Sequence, residues 1–168
     1  MNLKLDAKIT LALYNSVRRH KYVLKAASVV YRGSPLAFFI VYAAGGAWLY
    51  VYGERALFSY LAAPLCTILT SYGLRRLIKR ARPYITLGLE PPEGGKAGYS
   101  CPSNHAASAG AIALALMGIS PGFGACACVL ALMTGLSRVG MGVHYLTDVL
   151  AGYALAGVFT VAAVIWML

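Results

Sequence analysis

The 168-residue chain is 60% hydrophobic and only 12% charged, with a mean hydropathy of +0.68. Soluble domains carry about 25% charged residues, so this composition excludes an ordinary soluble protein and predicts an integral membrane protein. The net charge of +10 matches the anionic headgroups around a bilayer-embedded chain, and we expect a lipid rather than a nucleic-acid partner. Five acidic residues are too few for a carboxylate-built magnesium or calcium site, so neither a metal nor a cofactor is expected.

The first 32 residues mix basic and apolar side chains. Leu5, Ile9 and Leu13 recur at four-residue spacing, which predicts an amphipathic helix. Because no uninterrupted run of about 18 apolar residues occurs here, we expect two interfacial helices on the membrane surface, with a soluble basic tail as the alternative. The first 20 residues lack the apolar core of a cleavable signal peptide. The Gly-Ser-Pro sequence at 33–35 is predicted to end this region.

Five apolar stretches follow, separated by turn residues and one long polar loop. They are predicted as membrane spans at about 36–52, 56–74, 104–119, 123–136 and 149–168. Glycine and alanine recur through the last three and permit close helix packing. The predicted fold is therefore all-α, a polytopic helical bundle that forms a single domain over 1–168. Cys66, Cys126 and Cys128 lie in apolar runs and are expected to pack there, whereas Cys101 is expected to be accessible.

A five-span topology places the polar segments on one side of the membrane. The N-terminal helices, the 75–104 loop and the 137–148 stretch share one face, and 53–55, 120–122 and the C-terminus share the other. Of the 15 lysine and arginine residues, only Arg55 lies on the far face. The positive-inside rule therefore predicts that the polar face is cytoplasmic, with an extracytoplasmic orientation as the alternative.

The 137–148 stretch brings a cation, an imidazole and a carboxylate together. His144 and Asp148 are four residues apart, so on a helix they share one face. A carboxylate against one imidazole nitrogen fixes the tautomer and frees the other nitrogen as base or nucleophile. Arg138 offers a fork suited to phosphate or carboxylate. A simple ion pair at a helix end is the structural alternative, but charges within a membrane are costly and usually functional.

The long polar loop supplies a second cationic group. Arg75 and Arg82 are seven residues apart, close to two helical turns, and Pro83 turns the chain after them. Alone, such a basic helix end often serves only as a membrane anchor.

A predicted helix start follows the loop. Ser103 or Asn104 is expected to cap the third apolar helix, whose first backbone N–H groups suit a phosphate. His105 lies in the first turn of this helix, beside that position.

These residues predict a phosphate site that works by nucleophilic chemistry. His144, oriented by Asp148, is expected to attack phosphorus and form a phosphohistidine. His105 is expected to protonate the leaving group and then to activate water, while the arginines stabilise charge on the phosphate oxygens. Two other classes remain open: a haem protein with His105 and His144 as axial ligands, and an anion transporter or channel.

The sequence resembles the type 2 phosphatidic acid phosphatase superfamily of membrane lipid phosphatases. That family carries the signature Lys-x6-Arg-Pro, Pro-Ser-Gly-His and Ser-Arg-x5-His-x3-Asp. The matching segments here are Arg75-x6-Arg82-Pro83, Pro102-Ser103-Asn104-His105 and Ser137-Arg138-x5-His144-x3-Asp148. Two positions depart from the pattern: Arg75 replaces lysine, and Asn104 replaces glycine.

The resemblance implies a helical, metal-independent hydrolase of lipid phosphomonoesters or diphosphates in the cell membrane. It also implies His144 as nucleophile and His105 as acid, and it implies these phosphate ligands: Arg75, Arg82, Ser103, Asn104 and Arg138. Many members have six spans, as if interfacial helices replaced the first span here. Family substrates include phosphatidate, phosphatidylglycerophosphate, polyprenyl diphosphates, polyprenyl-phosphoribose phosphates and lipid A phosphate, and the generic apolar surface leaves all of them open.

Overall fold

The fold is known from a computed structural model that describes residues 3–52, 56–92 and 98–167. Within these ranges the regular structure is entirely helical, which confirms the all-α prediction. The elements are α1 (Leu3–Arg19), α2 (Lys21–Val51), α3 (Leu57–Ile78), α4 (Pro83–Thr86), α5 (Asn104–Ile119), α6 (Pro121–Gly140) and α7 (Leu146–Met167).

Four described segments are long and apolar enough to cross a membrane: Lys21–Val51, Leu57–Thr86, Pro121–Gly140 and Leu146–Trp166. Helix α5, the predicted third span, has only 16 residues. Large apolar side chains such as Phe39, Leu69 and Val161 face outward, as contact with lipid tails requires. The chain is therefore a multi-pass membrane protein.

Helix α5 lies at the centre of the bundle and packs against α2, α3, α6 and α7. Its alanines at 106, 107, 109, 111 and 113 are each at most 1% exposed. Small side chains let the neighbouring backbones approach closely, which is how membrane helices gain packing energy without a hydrophobic driving force. The start of this central helix carries Ser103, Asn104 and His105, so the polar motif sits directly on the core.

The N-terminal region differs from the sequence prediction in two ways. The expected break at 33–35 is wrong, because α2 runs continuously from Lys21 to Val51 with Pro35 inside it. The protein-facing side of α1 is also offset from the apolar stripe: Asp6, Thr10 and Tyr14 are buried, whereas Leu5 is 49% exposed. Polar contacts to the bundle, rather than the leucine spacing, set the rotation of this helix. The interfacial placement of α1 stays a prediction.

The ends of the motif helices also differ from expectation. Helix α6 extends through Arg138, and α7 begins at Leu146, so His144 lies in the turn between them. The prediction that His144 and Asp148 share one helix is therefore wrong. The expected two-turn helical spacing of Arg75 and Arg82 is wrong as well. Helix α3 ends at Ile78, and Lys79 adopts the left-handed conformation at φ 51°.

Gly152 on α7 permits the close approach of α5. A Cβ atom at this position would lie 2.8 Å from the Ser103 carbonyl oxygen and 3.0 Å from the Ala107 nitrogen. We expect Gly152→Ala to destabilise the protein by about 1–3 kcal/mol through overpacking. Gly157→Ala meets nothing within 4 Å and should be neutral or slightly stabilising. Thermal unfolding in detergent measures both, and equal stability of the two variants would contradict this packing.

Candidate active site

His144 lies between a guanidinium group and a carboxylate, and only 1% of its surface is exposed. Its Nε2 atom is 3.3 Å from Arg75 Nη2, and its Nδ1 atom is 3.7 Å from Asp148 Oδ2. Arginine only donates hydrogen bonds, so Nε2 must present its lone pair to Arg75. The proton of the neutral imidazole then resides on Nδ1 and points at the carboxylate. This tautomer leaves Nε2 as the ring nitrogen that carries no proton.

Both carboxylate oxygens of Asp148 accept hydrogen bonds. It is the third residue of α7, where Oδ2 accepts the N–H of Tyr145 at 2.9 Å and so caps the helix. Oδ1 accepts from Arg80 Nη1 at 2.7 Å. His144 Nδ1 has no hydrogen-bond partner in the described part of the chain, and the 3.7 Å gap to Asp148 is one that catalytic pairs commonly close when substrate binds.

Arg75 and Arg82 reach the site from different elements. Arg75 lies in the last turn of α3, and its Nε donates to the Pro102 carbonyl oxygen at 2.8 Å. Arg82 precedes Pro83 in extended backbone at ψ 152°, as the residue before a proline prefers. Its Nε is buried without a partner among the described residues.

The start of α5 is tied to Asp148 through the backbone. The Ser103 N–H donates to the Asp148 carbonyl oxygen at 2.8 Å, and the Ser103 side chain caps α5 by accepting from Ala106 N. Asn104 Oδ1 accepts from the Ser71 hydroxyl at 2.6 Å. Ser103 and Asn104 are 0% and 5% exposed, so both predicted phosphate ligands have structural contacts. His105 follows them and interacts electrostatically with Arg138, His144, Arg75 and Arg82.

Pro35, in the middle of α2, leaves free a backbone carbonyl group that binds Arg138. Pro35 has no N–H, so the carbonyl of Tyr31 one turn earlier cannot make its usual helix bond. Arg138 Nη2 donates to this carbonyl oxygen at 2.8 Å, and its guanidinium lies 4.2 Å from the centre of the Tyr31 ring. Arg138 is only 3% exposed, so this contact satisfies a buried charge. Its Nε remains without a partner among the described residues.

An apolar cavity opens beside His105. Its volume is about 210 Å³, and its lining residues come from α2, α5 and α6: Ser34, Pro35, Phe38, Phe39, Tyr42, His105, Ser108, Ile112 and Thr134. Phe38 also lines a larger apolar groove of about 650 Å³ between α2 and α6. The site is thus continuous with surfaces that suit a hydrocarbon chain.

Two residues of the site were not identified from the sequence. Arg80, which lies between the motif residues Arg75 and Arg82, donates to Asp148 and also to Asp6 Oδ2, each at 2.7 Å. Asp6 comes from α1 and is 1% exposed. The available signal was that Asp6 is the only acidic residue in a strongly basic N-terminal segment. Asp148 is therefore not the only carboxylate in the cluster.

The motif residues of this site lie in a segment that matches a known protein family. The family model of the PAP2 superfamily matches residues 55–168, which include all three motifs. This chain belongs to the PAP2 superfamily. It is 33% identical over 117 residues to the lipid A 1-phosphatase of Rhizobium etli, a match that covers 64% of this chain and 50% of that protein.

A second lipid A 1-phosphatase, from Rhizobium johnstonii, is 34% identical over 97 residues, which cover 55% of this chain and 40% of that protein. The chain thus spans about half the length, or less, of the curated relatives it matches. A crystal structure of a PAP2-type phosphatidylglycerolphosphate phosphatase from Bacillus subtilis superposes with a TM-score of 0.72 at 22% identity. That match covers 97% of this chain and 84% of the other, and it shows the shared fold.

Burial sets the protonation state of His144. It lowers the pKa of the imidazole from 6.5 to about 4, with Arg75 and Arg82 acting in the same direction and Asp148 opposing them. We expect the ¹⁵N NMR signals of His144 to show a neutral ring at pH 5.5, with His144→Gln identifying them. The unfolded chain binds this proton near pH 6.5 and the folded chain does not, so stability falls as the pH drops from about 6.5 to about 4. Titration of His144 near pH 6.5 would contradict this assignment.

Proposed function

We propose that this protein hydrolyses the phosphate of a membrane lipid, either a phosphomonoester or a diphosphate, through a phosphohistidine on His144. The observation that carries the proposal is the environment of the imidazole. Arg75 donates to the Nε2 lone pair and Asp148 faces Nδ1, so Nε2 carries no proton and can attack phosphorus once Arg75 turns to the phosphate, while a carboxylate orients Nδ1. Membership of the PAP2 superfamily supports lipid phosphatase chemistry.

The reaction proceeds in two displacements at phosphorus. In the first, the Nε2–P bond forms as the bond to the lipid oxygen breaks. His105, which takes up a proton when the anionic phosphate binds among the arginines, gives that proton to the departing oxygen. The product is the lipid alcohol, or the lipid monophosphate when the substrate is a diphosphate. In the second displacement, neutral His105 takes a proton from water, whose oxygen attacks phosphorus and releases inorganic phosphate from His144.

The arginines bind the phosphoryl oxygens while charge builds on them. Arg75 already lies at the nucleophilic nitrogen. The Nε atoms of Arg82 and Arg138, which have no partner among the residues that the structure describes, are further donors for the equatorial oxygens. Such preorganised donors in a water-poor site are the largest electrostatic contribution expected in phosphoryl transfer. We assign Ser103 and Asn104 to the same site through the start of α5, where the helix dipole favours an anion.

The lipid part of the substrate fits the apolar cavity beside His105 and the groove between α2 and α6. A basic groove on the polar side adds to the attraction of an anionic headgroup. It has a volume of about 590 Å³ and is lined by Arg18, Lys21, Lys25 and Arg32, among others. Phosphatidate, phosphatidylglycerophosphate, a polyprenyl diphosphate and a lipid A phosphate form the substrate panel to compare.

We further propose that hydrolysis needs no metal ion. The two carboxylates of the site, Asp6 and Asp148, are both bound by Arg80. Glu90, the other acidic residue in the described part of the chain, pairs with Arg18. Histidine and arginine can supply the nucleophile and the charge stabilisation that metals supply elsewhere. We expect activity to survive chelation by EDTA. Loss of activity in EDTA with recovery in magnesium would overturn this part of the mechanism.

Replacement of the two histidines separates their roles. We expect His144→Ala to lower phosphate release by about 10³-fold or more, because it removes the nucleophile. His105→Ala should keep a residual rate with p-nitrophenyl phosphate, whose leaving group needs little protonation. Release of phosphate from the substrate panel in mixed micelles measures both. His20→Ala, at an exposed histidine before α2, is the matched control. Wild-type activity in His144→Ala would refute the mechanism.

We also propose that the site faces the cytoplasm, because nearly all lysines and arginines lie on its side of the predicted topology. Burial and Asp148 raise the pKa of the Cys101 thiol to about 11, so Cys101 reacts slowly and is a poor reporter. A cysteine placed at exposed Tyr22 in a variant without the native cysteines is a better one. An impermeant maleimide should label it only after the inner membrane is opened. Labelling of intact cells with a permeabilised outer membrane would place the site outside.

A further inference from the structure

Helix α1 contributes a buried carboxylate to the candidate active site. Arg80 uses both ends of its guanidinium: Nη1 donates to Asp148 and Nη2 to Asp6, each at 2.7 Å. Thr147 completes the group, because its Oγ1 accepts from Arg80 at 2.7 Å and donates to Asp6 Oδ2. The family model begins at residue 55, so Asp6 reaches the site from outside the matched segment.

This group is buried and therefore geometrically demanding. Asp6 and Asp148 are 1% and 0% exposed, and a buried charge is tolerated only when it is paired and hydrogen-bonded. Asp6 has partners on both oxygens, since Oδ1 also accepts the Thr147 N–H at 3.3 Å. Removal of one charged member leaves the others uncompensated, so the members hold each other in place.

The arrangement fixes the plane of the Asp148 carboxylate. Arg80 holds Oδ1, and the Tyr145 N–H holds Oδ2 from one side. Oδ2 also lies 3.7 Å from His144 Nδ1, so the orientation of the carboxylate decides whether this contact can close. Without Arg80 the carboxylate could rotate about its last side-chain torsion, and the tautomer of His144 would lose its support.

Asp6 also changes the net charge of the group that it forms with Arg80 and Asp148. One guanidinium beside one carboxylate would cancel the charge of Asp148. With Asp6 present, two carboxylates share the Arg80 guanidinium, and this group of three keeps one negative charge on the Nδ1 side of His144, opposite Arg75. That charge stabilises the positive imidazole that forms when Nε2 bonds to phosphorus.

We propose that Asp6 is a positioning residue, which acts through Arg80 and Thr147 on Asp148 and thereby sets the tautomer and the reactivity of His144. The effect on reaction rate rests on the proposed phosphatase function, whereas the effect on the imidazole does not. Helix α1 then contributes directly to the geometry of the catalytic centre.

The test combines kinetics with ¹⁵N NMR of the three histidines. We expect Asp6→Asn to lower kcat by about tenfold, with KM changed less than about twofold, because phosphate binding is untouched. In the same variant the His144 proton should redistribute between Nδ1 and Nε2. In an Asp148→Asn background, Asp6→Asn should cause no further loss, since its route of action is gone.

Two substitutions on α1 control for simple loss of helix docking. Thr10→Val removes a contact in which Thr10 Oγ1 accepts the Leu146 N–H at 3.4 Å but leaves Asp6 and Arg80 in place. Lys8→Gln removes an exposed charge two residues from Asp6. Both should keep the wild-type kcat and imidazole spectrum. Thr147→Val retains all three charges and should give an intermediate loss, which tests the network even if Asp6→Asn folds poorly.

The outcomes separate the two proposals. An unchanged His144 spectrum in Asp6→Asn and Thr147→Val overturns the positioning role. A loss of kcat in Thr10→Val equal to that in Asp6→Asn overturns it as well. If the His144 proton redistributes in Asp6→Asn while the wild-type chain releases no phosphate from any lipid, the positioning role is supported and the phosphatase proposal is overturned. A redistributed proton together with the selective loss of kcat supports both.

Discussion

The guanidinium of Arg80, which lies between two buried carboxylates, is the interaction on which the polar end of this structure depends. The Arg80 side chain is 18% exposed, whereas those of Asp6 and Asp148 are almost completely buried. The guanidinium also lies 3.8 Å from the centre of the Tyr145 ring. A buried carboxylate needs a cationic partner of this kind. Three chain segments distant in sequence, namely α1, the loop after α3 and the start of α7, must therefore meet in one arrangement. The Ser100 N–H, which donates to the Arg80 carbonyl oxygen at 2.8 Å, ties the end of the loop to the same point.

Ordinary features of helices supply much of the site. Pro35 leaves the Tyr31 carbonyl of α2 without its helix partner, and Arg138 donates a hydrogen bond to this carbonyl. Asp148 caps α7 while it faces His144. Alanine and glycine in α5 and α7 allow the backbones to meet closely enough for the Ser103 N–H to reach the Asp148 carbonyl. Each feature satisfies a local requirement of hydrogen bonding or packing, and together they hold the motif residues in one place.

The sequence was sufficient for the helical fold, the membrane class and the family, because hydropathy and three ordered motifs are local patterns. The continuous helix α2 was not predicted from the sequence. A proline is compatible with a long membrane helix when another group binds the carbonyl that it leaves free. Here that group is Arg138, which lies 107 residues away from Tyr31 in the sequence. Arg80 and Asp6 were missed for a related reason. They are 74 residues apart, and neither a basic loop nor a basic helix with one aspartate reveals which charge will be buried. Long-range pairing of this kind depends on the assembled bundle.

The length of α5 has a consequence for the bilayer. Sixteen residues extend about 24 Å at 1.5 Å per residue, against a hydrocarbon thickness of about 30 Å. If Ser120 lies at one boundary of the hydrocarbon layer, then His105 at the other end of the helix lies several ångströms inside the opposite boundary. A phosphate at normal headgroup depth cannot touch a group so recessed. With this placement, a phosphate reaches His105 only where the lipid sinks or the leaflet thins around the protein. The cost of that deformation then adds to the barrier of the proposed hydrolysis, and bilayer thickness becomes a variable of the reaction.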